Sequence, residues 1–265
     1  MIINMILSNL KKIIDNTFLK ISPKLYLGLT RAQDSNDRFI FGHDIIKDKL
    51  KSNNINVLDA GCGGGNFYYY LKTIFSKFEY LGLEFDNQKI KPETYKKDNF
   101  KIISHDLRKG WSLGEFDFVW SSEVIEHILD DQFFFQNLVN STKKDGYIAL
   151  TAPYIDGYIN FAHKFGWSTE PSKVEDGGHV RLGYSENDLI NLANKFNLKL
   201  INIYFITECS DFRAKNIFKM NNGIFCYIFN ILFYLKILNY RRYIANNDVN
   251  ESKIKYFSIG AVFQK

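Results

Sequence analysis

The chain has 265 residues, 46% of them apolar, which is enough for one large α/β domain and too apolar for a disordered chain. Its 34 basic and 29 acidic residues leave a formal charge of +5 with no basic stripe, which argues against a dedicated nucleic-acid binder. Three cysteines (Cys62, Cys209 and Cys226), odd in number and far apart, fit neither a disulfide framework nor a zinc site and point to the reducing cytoplasm.

Residues 1–48 read as an N-terminal helical segment. Ile3, Ile6, Leu7, Leu10, Ile13, Ile14, Phe18 and Ile21 fall on one helical stripe. No early basic region and no small-residue cleavage site marks it as a signal peptide. The stripe suits packing on the domain; a dimer contact or a membrane-surface contact are the other uses of such a face. NINVLDA (54–60) is then a strand, FYYYLKTIF (67–75) a helix, and FEYLGLEFD (78–86) a second strand ending in acids. FKIISHDL (100–107) is a third strand and FDFVWSSE (116–123) a fourth; DDQFFFQNLVNST (130–142) is a helix and GYIALTAP (146–153) a fifth strand. This order predicts a parallel sheet with helices on both faces.

Residues 156–184 carry six glycine or proline positions and read as a loop-like insertion. Ser185, with Asp188 three residues on, caps a helix over SENDLINLANKF (185–196). LKLINIYFIT (198–207) is a sixth strand and KYFSIGAVFQ (255–264) a seventh. Between them, residues 211–250 hold the apolar run GIFCYIFNILFYLKIL (223–238), shorter than the roughly 20 residues of a bilayer crossing. Apolar on all sides, it reads as buried or as a lid over a greasy site, with weak membrane-surface contact as the alternative. The core domain is therefore 49–208 plus 251–265, with 156–184 and 211–250 as the pieces that build a substrate pocket.

The most informative stretch is VLDAGCGGGN (57–66). A glycine-rich turn between a first strand and a helix lets backbone approach a ligand closely, at the carboxyl ends of the strands. The nicotinamide fingerprint is met at Gly61 and Gly63, but its third glycine is replaced by Asn66. Glu84 stands at the end of strand two, a suitable distance for a ribose. Asp59 decides between the cofactors. A carboxylate near a pyrophosphate is unfavourable, whereas an ammonium and a sulfonium tolerate it.

In order and spacing, VLDAGCGGGN, LGLEFD, SHDL, FDFVWSSEVIEHI, GYIALTAP and GGHVRLGYSENDL resemble the motifs of class I S-adenosylmethionine-dependent methyltransferases. The resemblance implies a Rossmann-like, seven-stranded, mostly parallel sheet with helices on both faces, an antiparallel last strand and helical additions. It implies that Asp59, Gly61 and Gly63 line the methionine part of the cofactor, with Cys62 as a small side chain in the same loop. Glu84 would hold the ribose hydroxyls, Asp106 the adenine amino group with the Leu107 amide beside it, and Phe85 the adenine face. Ser121, Ser122 and Glu123 would lie near the point of methyl transfer, and S-adenosylhomocysteine would be the product.

An oxygen acceptor also needs a base, and the candidates are His179, His127 and His163. His43 reads as structural and His105 as pointing away from the cofactor, and Arg181 suits either an anionic acceptor or a surface acid. No metal is expected, because His163, Glu170, Asp176 and His179 match no metal signature. Aromatic residues (Tyr154, Tyr158, Phe161, Phe165, Trp167) crowd the insertion and suit rings or lipid tails. The expected reaction is O-methylation of a small molecule or a glycan precursor of polysaccharide biosynthesis, with no nucleic-acid partner. N-methylation is the nearest alternative. A nicotinamide-dependent oxidoreductase or a non-catalytic cofactor-binding protein are the readings from other classes. The expected place is the cytoplasm, with 223–238 as the segment that would touch the inner membrane face.

Overall fold

The computed structural model describes residues 33–52, 54–86, 99–175, 177–209, 232, 241–250 and 252–265. The stripe at 3–21 and the apolar run 223–238 lie outside the described residues, apart from Leu232. The chain runs α1 (Gln33–Lys49), β1 (Asn54–Ala60), α2 (Phe67–Leu71), β2 (Lys77–Glu84), β3 (Phe100–Ser104) and β4 (Phe116–Ser122). A 3-10 turn (Ile125–His127) leads to α3 (Asp131–Asn140), β5 (Thr142–Pro153) and α4 (Ile155–Phe165). α5 (Glu186–Lys195), β6 (Lys199–Glu208), β7 (Tyr243–Ala245) and β8 (Tyr256–Gln264) complete the order.

The strands form one sheet in the order β3-β2-β1-β4-β5-β8-β6-β7. β1 runs parallel to both β2 and β4, so the chain reverses its direction of travel across the sheet at β1. That reversal opens a crevice at the carboxyl ends of β1 and β4. β8 is antiparallel to both its neighbours, β5 and β6, as the last strand was expected to be. The sheet has eight strands rather than seven. The extra one, β7, pairs only three residues with β6 and is too short to give a period-2 signal in the sequence.

Alternation along the strands builds a core on each face. In β4, Val119 packs against α3 and α5 (Phe134, Phe135, Leu138, Leu189, Leu192). Its neighbours Phe118 and Trp120 face α1 and α2 on the other side. Trp120 is fully buried, stacked on Phe67 at 4.9 Å between ring centroids, with Phe41 at 6.3 Å. α1 is thus built into the sheet's second layer through Phe41, Ile45 and Ile46, and His43 is buried within it, hydrogen-bonded to Asp44 and Thr73. The expected Ser185 cap is present: Ser185 accepts from the Asp188 N–H while the Asp188 carboxylate takes the Ser185 N–H.

Two local expectations are corrected. The helix over 67–75 is only five residues long, because the chain turns from Lys72 onward. Residues 156–184 are not loop throughout, since α4 occupies their start. α4 turns Phe161 and Ala162 inward and leaves His163 and Lys164 exposed. Gly157 lets it sit against the start of β8, where a Cβ would meet the Tyr256 carbonyl oxygen at 1.9 Å. Among the described residues no helix is long and apolar enough to cross a membrane.

Trp120 is the largest side chain sealed between the sheet and α1–α2. Trp120→Ala should cost about 3–5 kcal/mol, read as a fall in the denaturation midpoint at an unchanged slope.

Candidate active site

The turn after β1 is held to the end of β2 by backbone. The Gly61 and Cys62 N–H groups both donate to the Leu83 carbonyl, at 2.9 and 3.0 Å. The Gly63 N–H donates to Glu84 Oε2 at 2.8 Å, and the Asp86 N–H donates to Oε1 at 2.9 Å. Glu84 is 7% exposed, with its carboxylate at the cavity wall. Gly61 (φ +87°) has no room for a side chain, because a Cβ would lie 2.2 Å from Val124 Cγ2. These groups open on a cavity of about 570 Å³.

The cavity wall brings together Gly61, Glu84, Phe85, Asp106, Leu107 and Glu123 of the residues expected from the sequence. Phe85 is 61% exposed and carries the Arg108 guanidinium over its ring at 5.3 Å. Asp106 is gripped by the same arginine, with contacts of 2.7 Å from Nε and 2.9 Å from Nη2. The bond from Arg108 is what holds the Asp106 carboxyl below its ordinary value. Arg108 also reaches Glu175 at 3.7 Å, joining β3's exit to the insertion across the mouth.

Asp59, Cys62, Gly63, Ser121 and Ser122 do not form this wall. They sit one layer back and shape it. Ser121 donates to the Ala60 carbonyl at 3.0 Å, tying β4 to β1. Ser122 bonds Thr151, which donates on to Glu123. Cys62 is buried against Gly82, and burial pushes its thiol up, so it stays protonated. Asp59 is 2% exposed and accepts from the Tyr80 hydroxyl at 2.5 Å. Burial raises its pKa from 3.8 to about 7 despite that bond.

A second cavity, of about 350 Å³, lies alongside and shares Glu123 and His127 with the first. Its other walls include Arg38, Glu126, Tyr158, Trp167 and His179. His127 and His179 stand with ring centroids 4.8 Å apart and planes at 82°. His127 Nδ1 lies 3.0 Å from the Gly178 carbonyl oxygen, which can only accept. Nδ1 must therefore carry the proton, and in the neutral ring Nε2 is a bare lone pair, 3.7 Å from Glu126 Oε1. Burial, then the proximity of His127, lowers the His179 pKa and keeps that ring neutral. The 3-10 turn and the insertion are knitted together: the Val180 and Arg181 N–H groups both donate to the Glu126 carbonyl.

His163 lines neither cavity; the helical phase of α4 turns it to solvent. Arg181 is committed to the scaffold, paired with Asp131 and bonded to the Tyr184 hydroxyl and two backbone carbonyls. His105 lies 3.4 Å from the Lys109 carbonyl and outside the cavity wall, as expected. Sequence reasoning missed Arg108, Glu126, Arg38 and Glu175. Glu126 and Arg108 had a signal: a carboxylate beside a histidine between Ile125 and Ile128, and a cation two residues past a site acid. Arg38 and Glu175 had none, since only the fold brings α1 and the insertion to β4.

The sequence profile of a family described as a methyltransferase domain matches residues 34–203. No characterised protein is similar enough in sequence to match. Solved structures share the fold. Coclaurine N-methyltransferase bound to N-methylheliamine and S-adenosylhomocysteine is 13% identical with a TM-score of 0.56, covering 87% of this chain and 73% of its own. An O-methyltransferase of a trans-AT polyketide synthase from Brevibacillus brevis, in complex with S-adenosyl-L-homocysteine, is 15% identical at TM-score 0.53, covering 85% and 71%. The [4+2]-cyclase SpnF is 11% identical at TM-score 0.55, covering 90% and 84%. At these identities the likeness is one of fold.

Asp59 gives a pH test of the buried layer. Its folded pKa of about 7 lies above the unfolded 3.8, so the folded state binds the proton more tightly. The resulting stability is present below about pH 4 and is lost as pH rises through 7. Asp59→Asn should flatten this dependence, which is on the order of 4 kcal/mol across the window, when chemical denaturation is followed from pH 4 to 8.

Proposed function

Because the chain belongs to a methyltransferase-domain family, with S-adenosylmethionine as its methyl donor, we propose that it O-methylates a small molecule or a sugar or glycan precursor. The residues present fit the donor. Gly61, at a positive φ and packed against Val124, sets the turn where it lines the cavity. Glu84 presents its carboxylate, held by the Gly63 and Asp86 N–H groups, and Phe85 offers an exposed ring face. S-adenosylmethionine supplies an activated methyl on a sulfonium, whose carbon–sulfur pair stays on sulfur as the acceptor takes the methyl. The chain's own work is to hold the donor in the first cavity, to hold the acceptor in the second, and to keep water out between them.

The observation that carries the O-acceptor reading is the pair of imidazoles in the second cavity. A hydroxyl is a poor nucleophile until its proton is drawn away, whereas a neutral amine needs no such help. His127 and His179 both present ring nitrogens where an acceptor would lie, and burial lowers the His179 pKa. Tyr158 and Trp167 add aromatic faces suited to a ring. The same reading places the enzyme in the cytoplasm, supported by its buried free thiol Cys62, with 223–238 as the segment that would meet the inner membrane face.

Calorimetric titration should show S-adenosylmethionine and S-adenosylhomocysteine binding while NAD does not; binding of NAD alone overturns the cofactor assignment. Glu84→Ala should weaken S-adenosylhomocysteine roughly ten- to hundredfold, from the loss of a charged acceptor. Labelled methyl transfer to sugars, lipids and quinols, run beside amines, tests the acceptor atom. Transfer to amines alone overturns the O-methyl reading.

A further inference from the structure

Glu126 is the most anomalous side chain in the described structure. It is 0% exposed, and neither carboxylate oxygen has a hydrogen-bond donor. Buried carboxylates are ordinarily paired, hydrogen-bonded or bound to metal. Its near neighbour is His127 Nε2, 3.7 Å away, on a ring whose Nδ1 proton is taken by the Gly178 carbonyl. The buried His179 Nδ1 also lacks any partner. Glu126, His127 and His179 each bring one ligand atom to the same place, all within 4.8 Å of one another.

We propose that Glu126, His127 and His179 bind a divalent transition-metal cation. Two imidazoles and one carboxylate form a set that suits zinc, iron(II), cobalt or manganese. Donor atoms about 2.1 Å from a tetrahedral ion lie about 3.4 Å apart, so the observed span of up to 4.8 Å closes by roughly an ångström or more, through side-chain rotation, when an ion binds. The supporting shell is already built. The bond from His127 Nδ1 to a backbone carbonyl is the usual device for orienting a metal-bound imidazole. The backbone bonds from Val180 and Arg181 to the Glu126 carbonyl hold the two ligand-bearing segments in register.

The inference rests on the O-acceptor reading for its chemical role and recasts it: with an ion bound, the ring nitrogens hold the ion, and the ion rather than a free imidazole would ease loss of the hydroxyl proton. Three protein ligands leave coordination positions open on the second cavity, beside Glu123 and Tyr158. An ion held there by Glu126, His127 and His179 would lower the pKa of an acceptor hydroxyl, whose proton would pass to water as its oxygen takes the methyl and the carbon–sulfur pair stays with sulfur. Arg38, 3.7 Å from Glu123, and the aromatic rings then frame the acceptor around the ion.

Equilibrium dialysis of the full chain against Zn²⁺ or Co²⁺, with bound metal counted by mass spectrometry, tests the site without any activity assay. One equivalent per chain is expected. Glu126→Gln and His179→Ala should each weaken binding at least about tenfold, while the exposed His163→Ala leaves it unchanged. Substoichiometric metal in the unaltered protein, or equal binding in all variants, overturns the proposal. X-ray absorption of the Zn²⁺-loaded unaltered protein does not depend on variant folding. It should show two imidazoles with oxygen, and sulfur ligation or absent imidazole scattering overturns the assignment. S-adenosylhomocysteine titration of the same samples keeps a failed metal site distinct from a failed cofactor site.

Discussion

Everything in the site hangs from the way the turn after β1 is fastened to the end of β2. Three successive N–H groups, from Gly61, Cys62 and Gly63, are spent on the Leu83 carbonyl and the Glu84 carboxylate. Without those bonds the turn would carry unpaired backbone donors, and the glycines would be free to wander. With them, bare backbone is presented at one fixed place, Glu84 is aimed, and Val124 can close against Gly61 with no gap. The parallel register of β1 with β2 and β4 then sets where every strand-end side chain stands.

Around that fixed point the fold divides its labour. The sheet supplies the cavity floor, and the insertion after β5 supplies the wall where the acceptor would lie. The 3-10 turn after β4 joins the two, because Glu123 and His127 belong to both cavities. Glu123 is held at φ +55°, a left-handed conformation that few non-glycine residues adopt, and its carboxylate accepts from Thr151. Strain of this kind persists only where the surroundings over-determine it, and it gathers at functional positions. The buried polar layer behind the wall — Asp59 on Tyr80, Ser121 on Ala60, Ser122 on Thr151 — keeps the wall residues from relaxing.

Much of this was legible in the chain. The alternation of strand and helix patterns, the acids at strand ends and the Ser185 cap all depend on neighbours in sequence, and they fold as read. Glu84, Asp106 and His127 were picked out because each stands at or after a strand end that is visible in the residues themselves. What escaped depends on distance along the chain. Arg38 reaches Glu123 from a helix that precedes the sheet, and Glu175 reaches Arg108 from the insertion. His163 looked equivalent to His179 until α4 set its phase. Glu126 was passed over because its importance lies in what it lacks, and a missing partner leaves no trace in a sequence.

The position of β8 has a consequence for how the protein is made. β5 and β6 never touch; each is bonded to β8, which comes roughly 50 residues after the end of β6. As the chain leaves the ribosome, the first six strands can form with an open slot between β5 and β6, flanked by two unpaired strand edges. Such edges are templates for pairing with other chains. Threading residues 256–264 into that slot is therefore the step that removes the aggregation hazard. Until that strand has been synthesised, both edges stay open.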